Sequence, residues 1–479
     1  MGRTIHIDPL TRIEGHAKIS IQLDASGAVQ DARFHVAEFR GFEAFCLGRP
    51  FTEMAGITAR ICGICPVSHL LAAVHAGDQL LAVSIPPAAE RLRRLLNLAQ
   101  IIQSHALSFF HLSSPDFLLG WECDPARRNL FGLIAADPDL ARGGIRLRQF
   151  GQSVIEQLAG RKIHASWVLP GGVRTPLPAE RRDAIRAALP EVLAITRTAL
   201  DRFKQLLDQK LTEELDVFGH FPSLFLALGR SDGLWETSSC SPCSGLQVMA
   251  SDGTRLVEQF PAEQFERIIH EGTEPWSYLK SPYYAPLGPI EGSYRVGPLA
   301  RLNLCDRMGT PQADRELLEL RQRAGPVVIA SFYYHLARLI EILACLEQME
   351  QLLDDPLTIA TRVRHRASLN CQEAVGVSEA PRGTLFHHYR VDADGLIDHV
   401  NLIIATGQNN RAMNRTITQI AKHYLKAGQL TEALLNRVEA GIRCFDPCLS
   451  CSTHAAGQMP LQVALLAADG SLLQQIQRP

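Results

Sequence analysis

Arg60-Ile-Cys-Gly-Ile-Cys-Pro-Val-Ser-His69 and Asp446-Pro-Cys-Leu-Ser-Cys-Ser-Thr-His454 are the two stretches whose joint reading decides the architecture. Each carries a Cys-x-x-Cys pair, Cys62/Cys65 in the first and Cys448/Cys451 in the second, and each has a histidine soon after its second cysteine. Two residues between the cysteines let both thiolates reach one metal from a single turn. One such pair alone more often marks a structural zinc or iron–sulfur half-site than an enzyme centre. A small zinc module draws its four ligands from nearby sequence, whereas these pairs stand at opposite ends of a 479-residue chain. That separation predicts a single site built between lobes, with the rest of the protein organised around it.

The bulk of the chain is that of an ordinary globular protein. At 479 residues it exceeds the length at which one core stops growing, so two or more lobes are expected. A hydrophobic share of 46% against 20% charged residues gives enough apolar surface for a packed core. The formal net charge is −2 with no block of like sign, which leaves no electrostatic footprint for nucleic acid or an anionic membrane. No apolar run reaches the ~18 residues that a bilayer span requires. The start, Met1-Gly-Arg-Thr-Ile-His-Ile-Asp, lacks the apolar stretch of a secretory signal, so a cytoplasmic protein is expected.

Twelve cysteines are many for that compartment, where disulfides rarely persist and short-spaced cysteines point to metal or redox chemistry. Cys46, Cys123, Cys305, Cys345, Cys371 and Cys444 have no close partner and read as small buried hydrophobes. A third pair, Cys240/Cys243, reads as an accidental surface pair, with a spare metal site as the alternative.

The pattern around these motifs is mainly helical, in the α+β class. Ala17 to Leu23 alternates apolar and polar residues, meets Asp24-Ala-Ser-Gly and continues in a second run through Val36, a β-hairpin signal within an N-terminal region of residues 1–48. From residue 49 a helical core with irregular segments is expected. Helical spacing marks Pro86 to Leu112 and Pro178 to Leu211. Thr310-Pro311 reads as the cap and first turn of another helix. Pro326 to Leu353 reads as a long central helix, apolar nearly all round. Ser231 to Pro298, rich in Gly, Pro and Ser, reads as irregular chain with short strands. A small hairpin around Asp469-Gly470 closes the sequence.

Taken together, Arg-x-Cys-Gly-x-Cys-x-x-x-His near the start and Asp-Pro-Cys-x-x-Cys-x-x-His near the end resemble the paired signatures of nickel–iron hydrogenase large subunits. Thr11-Arg-Ile-Glu-Gly-His16, Arg40-Gly-Phe-Glu43, Glu379-Ala-Pro-Arg-Gly383 and Asn409-Asn410 extend the likeness along almost the whole chain. Ser104 to Asp116, Glu379 to Arg390 and Gly441 to Pro460 resemble the cytoplasmic, bidirectional, NAD(P)-coupled group most. The resemblance implies a central helical bundle with small peripheral sheets, and reversible splitting of H2 into protons and electrons.

It implies roles for individual residues as well. Cys62 and Cys448 would bind nickel terminally, while Cys65 and Cys451 bridge nickel to an iron that carries carbon monoxide and cyanide. Cys448 would receive the proton and Glu14 would carry it onward. For Glu14 the bland alternative is a strand-end glutamate paired with Arg12 or Arg3. Pro381 and Arg382 would lie over the diatomic ligands, where a guanidinium can donate to cyanide nitrogens. The bland alternative for Arg382 is a surface arginine paired with Glu379. Asp116 and Asp446 match the acidic residues that hold that arginine, although an Asp before Pro, as at Asp446, is also a turn or cap former. Glu43 and His454 match ligands of a magnesium or iron ion near the mature C-terminus. His69 reads as a hydrogen-bonding neighbour of the metal ligands.

Neither a dinucleotide fingerprint, nor a Walker loop, nor a ferredoxin-like cysteine run is present, so electrons have no visible path within this sequence. An iron–sulfur small subunit is therefore expected as partner. The resemblance adds diaphorase subunits carrying FMN, iron–sulfur clusters and NAD(P), a maturation chaperone, and an endopeptidase that cuts at His454–Ala455. On that reading residues 1–454 form the catalytic domain and 455–479 a propeptide. Three rivals stand beside it: a hydrogen sensor of the same fold, a metal-free relative, and a plain four-cysteine zinc protein. The four cysteines argue against the second. Glu14, Arg382 and Asp446 argue against the third.

Overall fold

The computed structural model describes residues 3–237, 244–425 and 430–453, together with two strands near the C-terminus, Gln462–Leu466 and Leu472–Gln477. Helices build the centre and the sheets have two to four strands each, as the α+β reading expects. The helix Pro87–Ala106 packs along both Pro138–Ala159 and Tyr334–Asp354, and Ala179–Lys210 closes the group by packing on the latter two. Buried apolar side chains fall into one large cluster that includes all four helices and a smaller one among the strands Leu224–Arg230, Ser244–Ala250 and Glu373–Ala380. No helix among the described residues is long and apolar enough to cross a membrane.

Every residue from Tyr334 to Met349 is buried, which explains the almost unbroken apolar character of this segment. The helix nevertheless begins at Tyr334 and not near Pro326. Val327, Val328 and Ile329 are β-branched and lose side-chain freedom in a helix. Asn303 also exchanges two hydrogen bonds of 2.9 Å with the backbone of Val328, while Arg295 donates to the Ile329 carbonyl. The non-helical backbone here is thus satisfied from outside.

The helix from Pro87 does not end cleanly either. It widens into π turns over Leu107–Ser113 before resuming as Ser114–Leu119. Thr310 does stand before the helix Pro311–Ala324, but its hydroxyl caps nothing. Glu347, on the neighbouring helix, accepts from the amides of Gln312 and Ala313 at 3.2 and 3.0 Å instead.

At the N-terminus Lys18–Leu23 pairs antiparallel with Val29–His35, as expected, and Thr4–Ile7 adds a third strand that the alternation had not revealed. The region from Ser231 to Pro298 is more regular than its composition suggests. It contributes to a four-stranded sheet and holds the hairpin Ile269–Glu274/Ser277–Tyr284. The two C-terminal strands pair antiparallel, and the turn at Asp469-Gly470 lies outside the described residues.

Two elements place the site. The helix Pro66–Leu80 starts immediately after Cys65 and packs on the hairpin Glu373–Ala380/Gly383–Val391. That hairpin turns at Pro381-Arg382, so its tip is carried toward the cysteines.

Candidate metal centre

Each cysteine pair presents its sulfurs by a local device. Cys62 is extended after the turn Ala59–Ile61, and Pro66 opens the next helix, where a missing amide hydrogen costs nothing. The amides of Ile64 and Cys65 approach the Cys62 sulfur at 3.2 and 3.4 Å. In the other motif Cys448 is extended and Cys451 stands in the short helical turn Leu449–Ser452.

Tertiary contacts bring the pairs together. The Cys62 and Cys448 sulfurs lie 3.2 Å apart, Cys65 and Cys451 3.4 Å, and Cys448 and Cys451 3.0 Å. All four sulfurs fall within 4.8 Å of one another, and every one of these residues is buried. Among the described residues this is the single such cluster of Cys, His, Asp and Glu. All four cysteines belong to the larger core, and Ala405 of the smaller one lies beside them.

Several residues hold the two motifs in place. Arg40 donates to the Ile61 carbonyl at 2.5 Å and to the Ser450 carbonyl at 3.3 Å, linking one motif to the other. The amides of Gln100 and Gln103 both donate to the Ile64 carbonyl. Thr406 accepts from the Cys448 amide at 3.0 Å. Glu14 and Cys448 form an isolated parallel bridge, and the Glu14 carbonyl accepts from the Leu449 amide. Its carboxylate accepts from the Ser450 amide at 2.9 Å and from the Ser450 hydroxyl. Gly15 makes this approach possible: its φ is +88°, and a Cβ there would lie 2.7 Å from the Leu449 Cβ. Glu14 therefore pairs with neither Arg12 nor Arg3.

Arg382 is buried against the cluster. It donates to the Asp446 carbonyl at 2.5 Å, to the Asp446 carboxylate at 3.1 Å and to the Ser104 hydroxyl at 3.3 Å. Burial opposes its charge, but Asp446 and the sulfurs of Cys448, Cys65 and Cys62 outweigh it and strengthen its hold on the proton. Asp446 sits at φ +51°, a strained conformation for a non-glycine residue. Burial pushes its carboxyl up against the opposing pull of Arg382 and Arg338. Among the sulfurs, hydrogen bonds from Cys448, Cys451 and Cys65 hold the Cys62 thiol well below its usual range, while burial raises Cys448 and Cys451.

Other expectations need correction. Asp116 does not hold Arg382: its carboxylate pairs with Arg12 and, at 2.9 Å, with Arg443, tying the Thr11–Glu14 stretch to the C-terminal helix Glu432–Arg443. Glu379 does not pair with Arg382 but with Arg301 at 2.8 Å. Cys371 is exposed and Cys123 partly so, whereas Cys46, Cys305, Cys345 and Cys444 are buried as expected. His69 does contact a ligand sulfur, with Nε2 3.4 Å from Cys451, and its Nδ1 lies 3.1 Å from His387. Half-buried Glu43 accepts from the Leu402 amide at 2.8 Å, and burial raises its carboxyl. His454, Ala455, Cys240 and Cys243 lie outside the described residues. Sequence reasoning missed Ser104, Arg301, Thr406 and Ser450. The first and last of these lie inside quoted motifs, yet a lone hydroxyl carries no pattern of its own.

Residues 40–123 and 247–454 match the nickel-dependent hydrogenase family, and residues 4–39 match a HoxL-like family. The chain belongs to the nickel-dependent hydrogenase family. It is 40% identical to the NAD-reducing hydrogenase HoxS subunit beta of Cupriavidus necator, over 99% of both chains. One component of the F420-non-reducing hydrogenase vhu of Methanococcus voltae is 39% identical over 89% of this chain and 100% of its own. Among solved structures, an NAD+-reducing [NiFe]-hydrogenase in its H2-reduced state superposes with a TM-score of 0.91 and 44% identity, covering 94% of this chain and 99% of that one. The Ni-Fe-Se hydrogenase of D. vulgaris Hildenborough, 24% identical over 95% of this chain and 100% of that one, shares the fold with a TM-score of 0.77.

The donor set of this hydrogenase fits a thiolate-bound metal centre. Four buried sulfurs this close together would repel one another as thiolates, and a bound cation offsets that repulsion. Sulfur ligands of this kind suit nickel and low-valent iron. Beside Cys65, Cys448 and Cys451 lies a mostly apolar recess walled by Ala380, Leu385, Ile404 and Ala405, with Arg382 and Thr406 among its polar groups. That recess suits small metal-bound ligands better than a polar substrate.

Proposed function

We propose that this chain is the catalytic subunit of a hydrogen:NAD(P)+ oxidoreductase, splitting H2 reversibly at a nickel–iron centre held by Cys62, Cys65, Cys448 and Cys451. The convergence of four buried sulfurs from opposite ends of the chain carries this reading. The likeness to an NAD-reducing hydrogenase subunit over 99% of both chains supports the choice of electron acceptor.

A metal pair there supplies the Lewis acidity and redox capacity needed to polarise H2. Cys62 and Cys448 would be ligands of nickel, and Cys65 and Cys451 ligands of both nickel and iron. The Cys448 sulfur takes the proton. Glu14, whose carboxylate is held by Ser450 two residues further along the same motif, carries it away. Arg382, held by Asp446, lines the recess, where it would donate to cyanide on a bound iron. Thr406 completes that wall. Asp116 acts at one remove, by anchoring Arg12 in the Glu14 motif.

Glu43 and His454 would be ligands of a magnesium or iron ion. The remaining cofactors sit on partners: iron–sulfur clusters in the small subunit, and FMN and NAD(P) in the diaphorase subunits. A maturation chaperone and an endopeptidase act before assembly in the cytoplasm, the latter removing residues 455–479.

The test is metal analysis of the chain purified anaerobically with its native partners and maturation machinery, followed by H2-driven NAD(P)+ reduction. Nickel near one per chain and hydrogen-dependent NADH or NADPH are the expected results. Zinc in place of nickel after full maturation would make this a structural metal protein.

A further inference from the structure

Arg301 lies on the short helix Pro298–Leu304, with a side chain only 1% exposed. A guanidinium has five N–H donors in a fixed fork. Nε and Nη2 form a bidentate pair with Glu341 at 2.6 and 2.7 Å. Nη1 reaches the Glu379 carboxylate at 2.8 Å and the Ala380 carbonyl at 2.9 Å, while Nη2 also reaches the Pro381 carbonyl at 3.4 Å. Ala380 and Pro381 are the two residues before Arg382, at the tip of the hairpin that faces the cysteines.

The acceptors are themselves pinned. Glu341 also accepts from Trp235 Nε1 at 3.0 Å and lies 2.8 Å from His105 Nε2. Glu379 accepts from the Leu228 amide at 2.8 Å and the Thr384 hydroxyl at 2.6 Å. Gly297, the residue before the same helix, packs so closely that a Cβ there would lie 2.7 Å from the Arg382 carbonyl oxygen. One helix thus holds the backbone before Arg382 through the Arg301 bonds and meets the Arg382 carbonyl through the close approach of Gly297. Neutralising two buried carboxylates would not require bonds to the adjacent carbonyls; fixing the hairpin tip would.

We infer that Arg301 is a positioning residue for Arg382: it sets where the Arg382 guanidinium sits over the metal recess by holding the carbonyls of Ala380 and Pro381. This rests on the nickel–iron reading proposed above. Lysine keeps the charge of Arg301 but cannot serve two carboxylates and two carbonyls from one ammonium.

The experiment is infrared spectroscopy of the metal-bound diatomic ligands in the whole matured complex, for wild type, Arg301→Lys, Arg382→Lys and the double variant, with nickel content measured in each. Arg301→Lys is expected to keep its nickel and to shift the cyanide bands in the direction that Arg382→Lys does. The double variant is expected to shift them less than the sum of the two, because coupled residues are not additive. Bands of Arg301→Lys that coincide with wild type at equal nickel content would overturn the inference, even if that variant melts earlier. Should Arg301→Lys fail to assemble, Trp235→Phe decides. It removes one donor to Glu341, so a smaller shift of the same sign supports the inference and coincident bands overturn it. A wild-type complex with no such bands would overturn the nickel–iron reading itself, and this inference with it.

Discussion

Glu14 grips Ser450 across 436 positions of sequence, its carboxylate accepting both from the Ser450 amide and from the hydroxyl. The contact places the one acidic side chain of the N-terminal motif two residues from Cys448. It also gives the carboxylate a defined orientation that survives without any ion pair to Arg12.

Glu14→Gln is expected to keep nickel and the fold, since an amide preserves the shape and much of the hydrogen bonding to Ser450. Turnover coupled to proton release should fall by roughly 100-fold or more, the usual worth of a positioned acid–base group. Hydrogen–deuterium exchange with D2 gas measures this apart from electron transfer. Unchanged exchange would remove Glu14 from the proton path.

Cys62→Ser and Cys448→Ser are expected to lower nickel to background, because a hydroxyl is a hard, weakly acidic ligand in place of a soft thiolate. Inductively coupled plasma mass spectrometry of the anaerobically purified complex provides the measurement. Cys371→Ser, on the exposed cysteine, should leave nickel unchanged. Nickel retained in Cys448→Ser would show that the sulfur cluster is not the binding site.

Asp116→Ala leaves Arg12 and Arg443 without their shared buried carboxylate. The expected cost is about 3–5 kcal/mol of stability, the range for breaking a buried ion pair from one side. Thermal unfolding of the matured complex reads it. An unchanged melting temperature with altered cyanide bands would return Asp116 to the Arg382 site.

Acid sensitivity should come in part from His105. Burial, as the largest cause, lowers its pKa to about 4 against an ordinary 6.5, even though Glu341 pulls the other way. The folded state therefore binds its proton later than the unfolded state as pH falls. Stability present above pH 6.5 is lost progressively toward pH 4, by on the order of 3 kcal/mol for this group. Glu341, with its pKa lowered to about 2, adds a further loss below its ordinary value of 4.5. Denaturant melts of His105→Gln between pH 7 and pH 4 should show a flatter dependence than wild type. Parallel curves would assign the acid sensitivity elsewhere.

Intact mass spectrometry of active enzyme is expected to show a chain ending at His454. Active enzyme that retains residues 455–479 would remove the propeptide from the account.

The sequence alone singled out the four cysteines that cluster and the helical class. Two Cys-x-x-Cys pairs and long apolar periods are local patterns, and they survive reading one residue at a time. The helix Tyr334–Asp354 could be anticipated because burial on every side leaves an apolar run, but its start could not. Asn303, some 25 positions away, satisfies the Val328 backbone that a helix would otherwise have claimed. The same holds at the site. The spacing that yields Cys62 and Cys65 says nothing about Asp116 turning to Arg12 and Arg443, or about Arg382 taking Asp446 and leaving Glu379 to Arg301. Which buried charge meets which is decided by packing: in a low-dielectric interior each ion must find a partner, and only the folded chain determines which partner lies within reach.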